Sequence, residues 1–197
     1  MKDYFDNFYD WWKNIDKYIF SLIFILFFLG LFFSLASTSL IASDKLDTNS
    51  YYFFIKHFIF IILAITILMI FSFLKEELLI RLSIILFCIS FIALVLVPFI
   101  GTEIKGSKRW LDFIFLPRFQ PIEIIKPFFI VILSTLLCLK KNNLYFKYFL
   151  SGIILLPILL LLISQPDLGQ TLLVSMLWLT LIFVSGINIY LFFLFFI

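Results

Sequence analysis

The sequence predicts an all-α, polytopic transmembrane bundle of about six complete helices plus the start of a seventh. Three observations predict it. Of 197 residues, 64% are hydrophobic and 14% charged, where soluble domains average about 45–50% apolar and about 25% charged. Mean hydropathy is +1.18. Apolar runs also recur at close to the ~20 residues that span ~30 Å of hydrocarbon. A water-soluble fold must show much of its surface to water, so a chain this apolar needs lipid as its main solvent.

The runs fall at 18–36, 53–74, 79–100, 122–139, 148–164 and 171–184. Pro157 is expected to bend the fifth. A seventh run starts near Ile187 and reaches Ile197, roughly half a crossing, so the chain is expected to be the front part of a longer protein. Residues 1–17 carry Asp3, Asp6, Asp10 and Asp16 beside three lysines. They read as a cytoplasmic N-terminal segment, not a cleavable signal. Residues 18–197 read as one transmembrane domain with an outer loop at 101–121.

Lysine and arginine in the connections set the orientation. With the N-terminus inside, the inner segments hold Lys2, Lys13, Lys17, Lys75, Arg81, Lys140, Lys141 and Lys147, and the outer ones Lys45 and Lys56. The loop after the third helix breaks this pattern with Lys105, Lys108, Arg109 and Arg118. The other connections agree with one another, so this loop is expected to need positive charge for its own reason.

Composition excludes several classes. A net charge of +3 leaves no basic face for nucleic acid. Cys88 and Cys138 sit in separate apolar runs and read as buried small hydrophobes. His57 has no second ligand type nearby. The 29 phenylalanines read as lipid-facing bulk and codon bias. No P-loop, dinucleotide fingerprint, zinc signature or nucleophile elbow is present. The residues name no cofactor and leave a divalent cation open.

Three polar clusters remain. In the outer loop, Gly106 permits a tight turn, and Lys108 and Arg109 offer donors suited to phosphate oxygens, Arg bidentately. Trp110 prefers the membrane interface. The group suits an anionic lipid headgroup or plain phospholipid anchoring. Next, Gln120-Pro121 opens the fourth helix, with Pro121 fitting a first turn. Glu123 and Lys126 then share one helical face inside the membrane, either as a register-fixing ion pair or as the charged wall of a cavity. Last, Asp167 in the short turn 164–170 can cap the sixth helix and is expected on the same outer side.

Together these clusters resemble the SEDS family, the polytopic proteins of bacterial shape, elongation, division and sporulation. The matching stretches are Lys105-Gly-Ser-Lys-Arg-Trp110, Gln120-Pro-Ile-Glu-Ile-Ile-Lys126 and Gln165-Pro-Asp-Leu-Gly169. The family pattern is close to N-G-A-x-R-W, Q-P-S-E-x-x-K and Q-P-D-L-G, in that order. Lys105, Ser107 and Ile122 depart from it, and Ile122 removes a hydroxyl beside Glu123. Trp11-Trp-Lys-Asn-Ile-Asp16, Ser34-Leu-Ala-Ser37, Phe54-Ile-Lys-His57 and Lys126-Pro127 look more like the division branch than the elongation branch.

The resemblance implies a peptidoglycan glycosyltransferase that polymerises lipid II, an undecaprenyl-diphosphate disaccharide-pentapeptide, outside the cytoplasmic membrane during division. It implies a class B penicillin-binding protein and other division membrane proteins as partners. It implies substrate contacts at Lys108, Arg109, Trp110, Gln120, Glu123, Lys126 and Asp167. The family's catalytic aspartate lies in a later outer loop, beyond Ile197, so no catalytic residue is assigned and the chain alone is expected to be inactive. A precursor flippase, a non-catalytic division scaffold and an elongation role are the alternatives.

Overall fold

A computed structural model describes residues 8–45, 51–104, 106–113, 116–139 and 143–187. The chain forms two compact units, 1–79 and 80–197.

The first unit holds α1 (Phe8–Asn14), α2 (Lys17–Lys45) and α3 (Tyr52–Ser72). Asp16 ends α1 and starts α2: its Oδ1 accepts from the backbone N–H groups of Tyr18 and Ile19 at 2.9 and 3.1 Å, satisfying donors that the first turn leaves open. Trp11 of α1 is buried. Its indole N–H donates to Ser72 Oγ at 2.9 Å, and its ring stacks on Phe73 at 4.6 Å. Lys17 lies 5.8 Å from the Trp12 ring, within cation–π range. Within the segment before the first span, α1 is thus a short helix pinned to the end of α3. His57 packs on the helix pair: a Cβ added to Gly30 would meet its Nε2 at 3.4 Å.

The second unit takes all but the first turn of α4 (Glu76–Ile100) and continues through β1 (Thr102–Ile104), β2 (Ser107–Phe113) and β3 (Leu116–Phe119) to α5 (Pro121–Cys138), α6 (Leu144–Ser164) and α7 (Leu168–Val184). The buried face of α5 reads Ile122, Ile125, Phe129, Leu133 and Leu137, the spacing of one helical stripe. It packs with Leu94 of α4, Leu155, Ile158 and Leu162 of α6, and Val174 of α7. Lipid is as apolar as leucine, so close contact and hydrogen bonds across helices hold such a core more than the hydrophobic effect does. Two such bonds join α6 to the α7 region. Trp178 Nε1 donates to Ser151 Oγ at 2.9 Å, and Ser185 Oγ donates to the Tyr148 hydroxyl at 3.2 Å.

The all-α bundle stands, with five helices among the described residues long and apolar enough to cross a membrane. The sixth run is α7, whose 17 residues reach about 25 Å at 1.5 Å per residue. The expected start of a seventh falls in 188–197, outside the described residues. Cys88 and Cys138 are free thiols. Both are exposed on the helix surface, which corrects the expectation of burial; a small apolar side chain is as acceptable against lipid as in a core.

The segment read as a loop at 101–121 is instead a three-stranded antiparallel meander ordered β1-β2-β3. Ile104 pairs with Ser107, and Gly106, just before Ser107, has φ +78°. That left-handed value suits a hairpin turn and favours glycine. At the other end of β1, a Cβ on Gly101 would lie 2.4 Å from the Val97 carbonyl oxygen and 3.3 Å from that of Trp110. Glycine there lets β1 leave α4 directly beneath β2.

Candidate functional site

The helix starts of α5 and α7 are built to meet. Pro121 occupies the first turn of α5, with Gln120 before it in extended conformation. Asp167 precedes α7, and its Oδ1 accepts from the Gln170 N–H at 3.4 Å. Its Oδ2 accepts from Gln120 Nε2 at 2.9 Å. Gln120 and Asp167 are both buried. One carboxylate therefore caps one helix and ties down the residue that begins the other.

Arg109 reaches this pair from β2. Its guanidinium lies 3.5 Å from Asp167 Oδ1 and donates to the Pro166 carbonyl oxygen at 2.6 Å. The Arg109 Nε is buried without a hydrogen-bond partner among the described residues. A turn along α5, Lys126 Nζ stands 2.7 Å from Glu123 Oε2. Gln170 bridges both charges: its Nε2 donates to Glu123 Oε1 at 2.7 Å and its Oε1 accepts from Lys126 Nζ at 3.1 Å. Arg109, Asp167, Glu123 and Lys126 balance to zero net charge, as intramembrane ionisable groups generally must.

Five of the seven sequence-selected residues, Arg109, Gln120, Glu123, Lys126 and Asp167, thus converge at one end of the second unit. Lys108 is exposed and faces a neighbouring cavity of about 370 Å³. Trp110 is half-buried on β2, where its carbonyl oxygen accepts from Thr102 Oγ1 at 3.3 Å, and it enters none of the network's hydrogen bonds. Asp112 is engaged elsewhere, with both Nε and one Nη of Arg118 on a single carboxylate oxygen at 3.0 and 2.6 Å.

Two glutamines that the sequence reading did not select as site residues complete the arrangement. Gln170 falls three residues after Asp167, in the first turn of α7, and only the fold sets it beside Glu123. Gln165 is buried, and its Nε2 donates to the Leu94 carbonyl oxygen at 3.4 Å. That carbonyl lies four residues before Pro98, which has no N–H to return. A proline inside α4 opens an acceptor, and Gln165 meets it. At the far end of the unit, buried Lys147 donates to the Leu137 carbonyl oxygen at 2.9 Å, meeting one of the acceptors that the end of α5 leaves open.

The family model of the FtsW/RodA/SpoVE cell cycle proteins matches residues 16–197. The chain belongs to this family. The probable peptidoglycan glycosyltransferase FtsW of Coxiella burnetii is 31% identical over 160 residues, covering 79% of this chain and 43% of that protein. Its namesake from Haemophilus influenzae is 29% identical over 191 residues, covering 92% and 48%. Among solved structures, the Thermus thermophilus rod shape determining protein RodA superposes with a TM-score of 0.64 at 26% identity, covering 84% of this chain and 56% of that one. A chain from a peptidoglycan synthase complex that coordinates polymerization and crosslinking gives 0.62 at 27% identity, covering 80% and 47%. The chain spans about half the length of the curated relatives it matches. It is a multi-pass membrane protein of the SEDS type.

Proposed function

We propose that the protein containing this chain is a peptidoglycan glycosyltransferase that polymerises lipid II during septal wall synthesis, working beside a class B penicillin-binding protein. The sheet and the two helix starts then lie on the outer face of the cytoplasmic membrane, with the N-terminus inside. The observation that carries the reading is the convergence of Arg109, Gln120, Glu123, Lys126 and Asp167 at one bundle end. It occurs in a chain whose curated relatives are named for this activity.

In this reading Lys108 and the solvent-facing part of Arg109 attract the diphosphate of the carrier lipid, while Trp110 sits at the interface beside them. Glu123, Lys126 and Gln170 form a fixed polar wall. Gln120 and Asp167 hold the two helices that present it. Glycosyl transfer needs a base for the acceptor hydroxyl, commonly a carboxylate. Asp167 and Glu123 are both committed to hydrogen bonds and ion pairs, so neither is offered as that base.

Reconstitution of the full-length protein containing this chain in liposomes with lipid II tests the activity, with glycan polymer read on gels. Polymer is expected, and Arg109→Ala should weaken precursor binding. Precursor movement across the bilayer without polymer would favour the flippase reading instead. The likeness to RodA gives an elongation role a specific footing. Depletion decides between them, since loss of a division enzyme gives filaments and loss of an elongation enzyme gives rounded cells.

A further inference from the structure

The cavity of about 370 Å³ beside the network lies between the β1–β2 hairpin and the turn joining α6 to α7. Glu103 and Lys108 line it and are cross-strand partners in β1 and β2. Both are exposed. Among the described residues neither side chain is taken up by an ion pair or a hydrogen bond. Ser164, Pro166 and Pro98 also line it.

A site built only for phosphate would gather cations. Here one carboxylate stands beside one ammonium, so a dianion drawn to Lys108 is also repelled by Glu103. A neutral ligand rich in hydroxyl and amide groups uses both: Glu103 accepts from its hydroxyls and Lys108 donates to its oxygens. The proline rings give the C–H faces of such a ligand apolar surface. The volume is near the lower limit of the roughly 300–1,000 Å³ typical of ligand sites, which suits one or two sugar rings and excludes a polymer.

We infer that this cavity binds an N-acetylated sugar of the substrate next to its diphosphate, with Glu103 selecting the sugar and Lys108 standing at the sugar–phosphate junction. The inference rests on the proposed reading of the substrate as a diphosphate-linked saccharide. Lys108 has three donors and serves both parts.

The test uses the full chain in nanodiscs and two synthetic polyprenyl diphosphates, one bare and one carrying the N-acetylated disaccharide, with Kd measured by thermophoresis. The sugar-bearing lipid should bind at least tenfold more tightly. Glu103→Ala and the cavity-filling Ser164→Trp should each bring the two Kd values together by weakening only the sugar-bearing lipid. Lys108→Ala should weaken both. Equal affinity of the wild-type chain for the two lipids overturns the inference and leaves the diphosphate reading standing, as does a preference that survives Glu103→Ala. Failure to bind either lipid removes the diphosphate reading, and the inference with it.

Discussion

Gln120 Nε2 donates to Asp167 Oδ2 at 2.9 Å, joining the start of α5 to the start of α7 across 47 residues of chain. Asp167→Ala would remove a helix cap, about 1 kcal/mol, and leave buried Gln120 without its acceptor, a further 1–3 kcal/mol or so. A clear fall in the melting temperature of the detergent-solubilised chain is expected. Asp167→Asn keeps one acceptor oxygen for the cap and places an NH2 where Oδ2 was, so Gln120 must turn its amide oxygen to it; with the charge facing Arg109 also lost, it should recover part of the loss. Equal melting of Ala and Asn variants would show that the cap and the bond do not matter.

The pairing of Gln165 with the acceptor opened by Pro98 predicts a rescue. Gln165→Leu should cost about 1–3 kcal/mol by stranding the Leu94 carbonyl. Pro98→Ala restores a backbone donor four residues on, so the double variant should be more stable than Gln165→Leu alone. Additive losses in chemical denaturation would contradict this.

Gln170 couples Glu123 to Lys126. Gln170→Leu and Glu123→Gln, singly and together, form a double-mutant cycle. An interaction energy in the range of about 0.5–3 kcal/mol is expected for groups in direct contact. A value near zero would mean that the bridge carries no stability.

Trp11 anchors α1 to the end of α3. Ser72→Ala removes one hydrogen bond, on the order of 0.5–1.5 kcal/mol, and should redden tryptophan emission and speed proteolysis ahead of Asp16. Unchanged cleavage would show that the ring contacts of Trp11 hold the segment without this bond.

The proposed orientation is checked by labelling a cysteine-free chain in intact cells. A cysteine at position 107 should react with an impermeant reagent from outside, and one at position 142 should not. The opposite pattern would invert the topology.

Much of this was legible in the sequence. Helix positions follow from apolar run length, because hydrocarbon admits few alternatives for the backbone. Pro121 marked the start of α5, and the spacing of Glu123 and Lys126 put them on one helical face, with an ion pair as one of two readings. Asp167 was readable as a cap. The three-stranded sheet was not, because Gly101 and Gly106 read equally as loop signals and its charges obscure strand alternation. Nor could spacing reveal that Gln165 answers Pro98 or that Gln170 answers Glu123, since those partners lie 71 and 47 residues apart. Cys88 and Cys138 were misjudged because hydropathy cannot separate a side chain facing lipid from one facing protein.

Lys147 at one end of α5 and Asp167 at the other have a joint consequence. Lys147 holds the helix by the Leu137 backbone carbonyl, and Asp167 holds it by the side-chain amide of Gln120. Sliding α5 by one turn, about 5.4 Å, would undo both grips. The two bonds together therefore fix the register of α5 against α6 and α7.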